Sequence, residues 1–274
     1  MTVYNIFFSP TGTSGKIADA VTEEISSALN VESATVDVTT ESRDRIDAGP
    51  DDLVILTAPV YGGHMAPTAK SRMDIIKGNG AKCVLIAVYG NRAFENALVD
   101  MSEFAKDHGL RPVAAGAFVG EHSYSTADTP IAVGRPDTED LRVAAEFGDR
   151  IANKLSAGDV QDIDATSVMD IPSPEQSLAN FKEFVISYVA QQKLTPVKLL
   201  PEVNDSLCTR CGTCVSVCPT HTIADDCHTV DSAKCIKCCA CVKKCPVGAR
   251  SLHSPFAPVL SANFQIRKSP VIIL

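Results

Sequence analysis

The sequence of 274 residues lacks two features that would place it in or across a membrane. No run of apolar residues approaches the roughly 20 that are needed to cross a bilayer. The first residues, Met1–Phe8, lack the basic region, the full apolar core and the small-residue cleavage site of a secretory leader. We therefore expect no membrane span, and a cytoplasmic protein whose cysteines are kept reduced.

The sequence is also short of basic residues, because 25 lysines and arginines stand against 33 aspartates and glutamates, for a formal net charge of −8. Residues 202–254 hold six basic and five acidic residues, so the negative charge comes from the rest of the chain. Proteins that bind nucleic acid through its phosphates need a basic surface. The charge therefore argues against nucleic acid as a partner.

Cysteine, by contrast, is abundant, and eight of the 11 cysteines form two copies of one pattern, Cys-x2-Cys-x2-Cys-x3-Cys-Pro. The copies are Cys208, Cys211, Cys214, Cys218, Pro219 and Cys235, Cys238, Cys241, Cys245, Pro246. Three thiolates on a tight loop can wrap one corner of an iron–sulfur cube, while the fourth points away. Zinc and disulfides are the alternatives. Zinc sites usually show two separated cysteine pairs, and disulfide frameworks suit small secreted chains.

These runs resemble those of bacterial two-cluster ferredoxins, in which the fourth cysteine of each run ligates the other cluster. The resemblance implies one [4Fe–4S] cluster held by Cys208, Cys211, Cys214 and Cys245, and a second held by Cys235, Cys238, Cys241 and Cys218. Three cysteines remain. Cys83 lies in an apolar run and is expected to be buried in a core, whereas Cys227 and Cys239 stay unassigned.

In the first half, apolar runs alternate with helical patterns. The runs at residues 3–8, 52–60, 82–89 and 112–119 are continuous, which predicts strands buried on both faces. Apolar residues at helical spacing follow each run, beginning with those at positions 17–29. This repeating pattern predicts a parallel sheet covered by helices on both faces.

The loop at residues 9–14 lies between the first predicted strand and the first predicted helix, and it carries four hydroxyls and a glycine. A phosphate fits such a site, because unpaired N–H groups and hydroxyl donors converge there on the positive end of the helix dipole. Pro10 stands where a P-loop or a dinucleotide fingerprint needs glycine. The loop therefore predicts a mononucleotide phosphate held by neutral donors, with a solvated helix cap as the alternative.

Residues 1–160 resemble a flavodoxin through three loops that follow predicted strands. The resemblance implies that FMN phosphate is bound by Ser9, Thr11, Gly12, Thr13 and Ser14. It implies that one side of the flavin ring is contacted by the loop of Pro59, Val60, Tyr61 and Gly62, and the other by Tyr89, Gly90, Asn91 and Phe94. Asn91 and Phe94 depart from the aspartate and tyrosine of the family pattern.

The predicted fold class is α/β. We expect a flavodoxin-like, doubly wound, five-stranded parallel sheet in the order 2-1-3-4-5, with a small α+β two-cluster ferredoxin domain. The expected divisions are an FMN domain at 1–160, a linker and helix at 161–200, a ferredoxin domain at 201–254, and a tail at 255–274 that packs back on a domain. The stretch from Ser125 to Pro136 is expected to be a surface insertion, and the role of the loop at 121–136 stays open.

The whole chain resembles the flavodoxin–ferredoxin fusion proteins of anaerobes. The resemblance implies electron transfer between FMN and two [4Fe–4S] clusters, with ferredoxin- or flavodoxin-dependent oxidoreductases as partners. The alternative is an FMN-dependent reductase of a quinone, nitro compound or enone that is fed through the clusters. A cavity lined by His122 or Tyr124 would favour this reductase. We expect the carrier, because the sequence shows no NAD(P) fingerprint and no evident acid–base pair.

Overall fold

The computed structural model describes residues 1–41, 43–158 and 160–274. The strands are β1 (Thr2–Phe7), β2 (Glu32–Asp37), β3 (Ile46–Asp47), β4 (Leu53–Tyr61), β5 (His64–Met65), β6 (Ile76–Lys77), β7 (Lys82–Tyr89), β8 (Arg111–Val119), β9 (Glu202–Val203), β10 (Arg250–Ser251) and β11 (Val271–Ile273). The helices are α1 (Thr13–Leu29), α2 (Pro67–Met73), α3 (Ala97–Asp107), α4 (Thr138–Ser156), α5 (Glu175–Leu194), α6 (Thr213–Ser216), α7 (Ala240–Lys243) and α8 (Phe256–Asn263), with a 3-10 turn at Ala165–Ser167.

The chain folds into two compact units. The first comprises Met1–Glu121, Gly134–Ile171 and Lys268–Leu274, and the second comprises His122–Val133 and Pro172–Arg267. These divisions differ from the expected ones at three places. The insertion after β8 belongs to the second unit instead of the first, and both the expected linker at 161–200 and the tail are divided between the two units.

The first unit is built on a mostly parallel sheet with the strand order β11-β8-β7-β4-β1-β2. Its five long strands are parallel, and β11 pairs antiparallel with β8 at one edge. The predicted flavodoxin-like α/β class is confirmed. The strand β11 is an addition that the sequence pattern did not predict, since a three-residue apolar segment carries no clear strand signal.

The central strands are buried on both faces, as their continuous apolar runs predict. On one face, α1 and α4 pack Ile17, Val21 and Phe147 onto the sheet. Cys83 on β7 has no exposed surface, and burial raises the pKa of its thiol, so it behaves as an apolar core residue.

The second unit has little regular structure around its cysteine loops. A two-stranded ladder joins β9 to β10, and an isolated bridge joins Ile223 to Val230. Aromatic rings pack α5 onto α8, since Phe184 and Tyr188 lie with their centroids 5.1 and 4.9 Å from that of Phe256. Within the described residues of the chain, no helix combines the length and the apolar character that crossing a membrane requires.

Candidate functional site

The loops predicted to bind a flavin leave the first unit's sheet side by side. β1, β4, β7 and β8 are neighbouring parallel strands, and the loops follow Phe7, Tyr61, Tyr89 and Val119 at their carboxyl ends. Two of these ends are joined directly, because the N–H of Gly120 donates to the carbonyl of Tyr89 at 2.9 Å. Ligands of doubly wound sheets bind at this edge.

The loop before α1 presents a helix N-terminus. Gly12 directly precedes the helix with a φ of 92°, and as a glycine it supplies no side chain to cap this end. The Ser9 hydroxyl accepts a hydrogen bond from the Gly15 N–H at 2.9 Å, which holds the loop against the helix. The other N–H groups at this helix start and the positive end of the dipole face the loop, so the loop fits a phosphate. The predicted contacts divide into the buried Ser9 and Ser14 and the partly exposed Thr11, Gly12 and Thr13.

A tight hairpin follows β4. Tyr61 pairs with His64 across it, and Gly62 and Gly63 between them have φ of 61° and 86°. Positive φ at both positions is what a two-residue type I′ hairpin needs. The carbonyl of Gly63 accepts the Asn96 N–H at 2.8 Å, which ties the hairpin to the next loop. Of the predicted contacts here, Pro59, Val60 and Tyr61 are partly exposed and Gly62 is exposed.

Two residues that the sequence did not point to hold the loop after β7. The Asp170 carboxylate accepts the N–H groups of Phe94 at 2.8 Å and Glu95 at 2.9 Å. The Lys268 ammonium donates to the carbonyl of Arg92 at 2.6 Å. Both are far from the loop along the chain, Asp170 by 76 residues from Phe94, so no local spacing could have identified them.

Phe94 does not present its ring to a ligand. It has no exposed surface and packs edge-on against Tyr89, with the centroids 5.5 Å apart. Its position therefore does not support the predicted stacking role, because a ring buried in the core has no face free for a flavin. In the same loop, Asn91 is buried with a φ of 68°, and Gly90 is partly exposed.

The Tyr89 hydroxyl is a buried polar group at this edge of the sheet. It has no hydrogen-bond partner among the described residues. Burial is the main reason that the pKa of this hydroxyl is raised, so Tyr89 is a neutral donor. Buried polar groups are nearly always paired. Together with the N–H groups at the start of α1, this hydroxyl makes the edge fit a polar ligand such as FMN.

In the second unit, the eight cysteines of the two runs line two open cavities. The first cavity is lined by Cys208, Cys211, Cys214 and Cys245. The second is lined by Cys218, Cys235, Cys238 and Cys241. This is the crossed division that the ferredoxin resemblance implies. No three His, Cys, Asp or Glu side chains of the described residues are grouped to hold a single metal ion; the thiols instead surround a space, which fits a cuboidal cluster.

The fourth cysteine of each run receives the same backbone hydrogen bond. The N–H of Thr222 donates to the sulfur of Cys218 at 3.4 Å, and the N–H of Ala249 donates to the sulfur of Cys245 at 3.3 Å. Each donor follows its cysteine by four residues. The sequence repeat is therefore also a structural repeat, and such N–H donors influence the reduction potential of a cluster.

Threonine hydroxyls add further contacts to two of the ligand sulfurs. The Thr213 hydroxyl lies 3.3 Å from the Cys211 sulfur and lowers the pKa of that thiol. Burial acts to raise the pKa of Cys218, but hydrogen bonds from Thr222 and Thr220 bring it below its usual value. Both contacts favour the thiolate, which is the form that binds iron.

The two unassigned cysteines also line the cavities, Cys227 the first and Cys239 the second. Cys239 has a φ of 61° and occupies the position that Gly212 holds in the first run. Both thiols are buried and face a carbonyl two residues earlier, that of Asp225 at 3.8 Å and that of Lys237 at 3.7 Å. Neither belongs to the four-cysteine set of a cavity that the repeat defines.

The insertion after β8 lies beside the second run. The Lys243 ammonium donates to the carbonyl of Ser125 at 2.8 Å. The Tyr124 N–H donates to the imidazole of His122 at 3.0 Å, and their rings lie 5.0 Å apart. Burial, with the nearby Cys239 as the next cause, raises the pKa of Tyr124 to about 12.

Family models match both halves of the chain. A model described as a flavodoxin domain matches residues 5–129. A model described as a 4Fe-4S binding domain matches twice, at residues 201–224 and 228–251. Each of the latter matches contains one complete cysteine run. No curated protein sequence matches the chain.

Solved structures resemble part of the chain. A flavodoxin from the domain Archaea is 16% identical, covers 57% of this chain and 99% of its own, and has a TM-score of 0.40. A Streptococcus pneumoniae TIGR4 flavodoxin is 16% identical, covers 56% and 99%, and has a TM-score of 0.39. The rubredoxin oxygen:oxidoreductase from the anaerobe Desulfovibrio gigas is 11% identical, covers 57% and 36%, and has a TM-score of 0.38.

The fold, the loops and the paired cavities define a flavin- and iron–sulfur-containing electron-transfer protein. The chain joins a flavodoxin domain to two 4Fe–4S motifs, a combination that matches a flavodoxin–ferredoxin fusion protein. Its cofactors are FMN and two [4Fe–4S] clusters.

Proposed function

We propose that the protein is an electron carrier in which electrons pass between the two clusters and FMN. FMN supplies the ability to exchange two electrons one at a time, and each cluster exchanges one. The partners would be ferredoxin- or flavodoxin-dependent oxidoreductases in the cytoplasm, in low-potential anaerobic metabolism. This role rests on the presence of both kinds of redox site in one chain.

The crossed cysteine arrangement is the observation that carries the proposal. Cys214 lies in α6 and lines the first cavity, and Cys218 lies two residues beyond the end of α6 and lines the second. Four residues at helical rise span roughly 6 Å, so the ligands of the two clusters lie about one helical turn apart. In the second run the order is reversed, because Cys241 lines the second cavity and Cys245 lines the first. Two clusters so close together suit the passage of single electrons from one to the other.

The reductase alternative gains no support from the residues on which it depended. His122 and Tyr124 contact each other and belong to the second unit, where Tyr124 lies beside the second cysteine run. We therefore keep the carrier as the proposed function. A reductase remains a measurable outcome of the experiment below.

The experiment compares two neighbouring cysteines in the anaerobically purified holoprotein. Cys238→Ser removes a ligand of the second cavity, whereas Cys239→Ser changes a cysteine outside the ligand set. Reduced ferredoxin is mixed rapidly with each variant, and reduction of FMN is followed by its absorbance. We expect Cys238→Ser to lose iron and to slow FMN reduction, while Cys239→Ser retains both.

Two results would contradict the carrier. FMN reduction that stays at the wild-type rate in a Cys238→Ser protein lacking the second cluster would show that electrons do not pass through it. Sustained turnover of a quinone, nitro compound or enone, faster than electron delivery to any acceptor protein, would establish the reductase instead. FMN content is measured in each variant, so that loss of the flavin is not mistaken for loss of transfer.

A further inference from the structure

Arg250 is a buried cation in the wall of the first cluster cavity. It is 5% exposed and lines the cavity together with Cys214 and Cys245. One guanidinium nitrogen, Nη2, donates to the carbonyl of Cys227. The other, Nη1, is buried without a hydrogen-bond partner among the described residues.

A guanidinium in this position needs a negative partner. Burial of an unpaired charge is costly, so buried arginines are normally paired with carboxylates. Yet none of the ion pairs found in residues 1–41, 43–158 and 160–274 includes Arg250. The remaining candidate is the cavity itself, since four thiolates give a [4Fe–4S] site a net negative charge.

The internal repeat shows that this charge has no counterpart in the second cavity. Arg250 follows Cys245 by five residues, and Ile223 follows Cys218 by five. Ile223 is 5% exposed and lines the second cavity, so the two side chains occupy equivalent places. One cavity wall therefore carries a buried cation where the other carries an aliphatic side chain.

The other two cations that line the cavities balance each other, while Lys234, Lys243 and Lys244 of the second run are exposed and line neither cavity. Arg210 and Lys237 each directly precede the second cysteine of their runs, with φ of 55° and 57°. Each lines its own cavity. Because this pair contributes one charge to each cavity, Arg250 is the charge that makes the two cavity linings different.

We propose that Arg250 makes the first cluster the one with the higher reduction potential. When a reductant gives this cluster one electron, the site becomes more negative by one charge, and no bond or proton is transferred. A fixed buried cation stabilises the reduced state more than the oxidised state. The assignment goes beyond the carrier proposal and does not depend on the direction of electron flow.

The threonine contacts act in the opposite direction but are weaker. Thr222 and Thr220 face Cys218, so they raise the potential of the second cluster, while Thr213 acts on the first. A neutral hydroxyl acts as a dipole on one sulfur, whereas the buried guanidinium carries a full charge that acts on the whole site. We therefore expect the charge to decide the order of the two potentials.

The test is an anaerobic redox titration of the full holoprotein, with the clusters followed by electron paramagnetic resonance. Thr222→Val identifies the second cluster, because it removes the hydroxyl that contacts Cys218. In the wild-type background, we expect this change to shift the transition that lies at lower potential. A shift of the higher transition would overturn the proposed order, whatever happens at Arg250.

Arg250→Gln and Arg250→Lys are then compared. We expect Arg250→Gln to lower the higher transition and to move the other one less, and Arg250→Lys to restore most of the wild-type value because the charge is kept. Equal shifts of both transitions, or no shift, would overturn the role of Arg250. Iron content is measured in each variant, and if Arg250→Gln fails to hold the first cluster, the Thr222→Val titration still decides the order.

Discussion

The carboxylate of Asp170 holds the backbone of Phe94, whose N–H it accepts at 2.8 Å, while its second oxygen accepts the N–H of Glu95 at 2.9 Å. One side chain thus fixes two consecutive peptide groups of the loop that follows β7. Lys268 holds the same loop through the carbonyl of Arg92. The FMN edge is therefore stabilised by residues that lie outside the three flavodoxin loops.

Asp170→Ala should weaken FMN binding. Hydrogen bonds to charged groups contribute about 1.5–3 kcal/mol each, and every 1.4 kcal/mol corresponds to about tenfold in affinity. The hydrogen bonds are also made in the flavin-free protein, so only part of their free energy contributes to FMN binding. We therefore expect FMN to bind about tenfold more weakly. Titration followed by flavin fluorescence measures the change. Asp164→Ala is the matched control, since Asp164 caps only the 3-10 turn of the same segment, and equal losses in both variants would contradict the prediction.

The phosphate loop could be predicted from the sequence, but the contacts that hold the loop after β7 could not. The signal of residues 9–14 is local, because a strand, a glycine and hydroxyls stand next to the start of a helix. The contact between Asp170 and Phe94 spans 76 residues and depends on how the fold closes. The same limit applies to Phe94, because its packing on Tyr89 in the core could not be predicted from the loop pattern.

The insertion after β8 shows a second limit of the sequence. Its prolines and polar residues indicated a surface loop of the FMN domain, yet Ile131 is 1% exposed and packs on Leu260 and Phe264 of the second unit. The Ser261 hydroxyl donates to the carbonyl of Pro130 at 2.9 Å. One apolar residue in a polar loop carries no periodicity, so only the packing reveals which unit the loop belongs to.

Gly12→Val should weaken the phosphate site through backbone conformation alone. A Cβ at Gly12 would meet no atom within 4 Å, but the φ of 92° is disfavoured for residues with a side chain. A left-handed residue costs roughly 1–2 kcal/mol, so we expect about a tenfold loss of FMN affinity. Gly12→Asn is the control, because asparagine tolerates positive φ better. Equal flavin affinities in the two variants would show that the strain is not the cause.

Gly63→Ala should disturb the hairpin more than Gly62→Ala does. Both glycines have positive φ, but a Cβ at Gly62 meets nothing within 4 Å, whereas one at Gly63 would lie 1.8 Å from a carboxylate oxygen of Glu95. We expect Gly62→Ala to show only the conformational cost, about 1 kcal/mol, and Gly63→Ala to show more. Thermal unfolding of the holoprotein followed by FMN release compares them.

The double variant Gly63→Ala/Glu95→Ala separates the clash from the backbone strain. Neighbouring residues that interfere with each other show non-additive effects. Removal of the Glu95 side chain should restore part of the loss in Gly63→Ala, while strain from positive φ remains. Additive losses in the double variant would mean that Glu95 moves aside without cost.

Ile131→Ala should destabilise the unit that holds the clusters. Truncation of a buried isoleucine typically costs about 2–5 kcal/mol, while surface changes stay within about 0.5 kcal/mol. Val133 is 61% exposed in the same insertion, so Val133→Ala is the matched control. On heating, we expect Ile131→Ala, but not Val133→Ala, to lose the cluster absorbance at a lower temperature than the wild type. The release of FMN, followed by its fluorescence, should occur at the wild-type temperature. The prediction fails if FMN is released first in Ile131→Ala.

His228 should make the stability of the second unit depend on pH. Its Nδ1 donates to the carbonyl of Asp226 and its Nε2 to the carboxylate of Asp205, which requires both nitrogens to carry protons. These contacts, in that order, raise the pKa of His228 above its usual 6.5. A histidine whose pKa is raised on folding stabilises the folded state. This stabilisation is fully present at a pH below the pKa of the unfolded state, and it is lost as the pH rises through the pKa of the folded state. The temperature at which the clusters are lost should therefore differ between wild type and His228→Gln at about pH 6 and converge at about pH 9.

His253→Gln changes an exposed histidine of the same unit and serves as the control. A difference between wild type and His228→Gln that grows with pH would contradict the assignment.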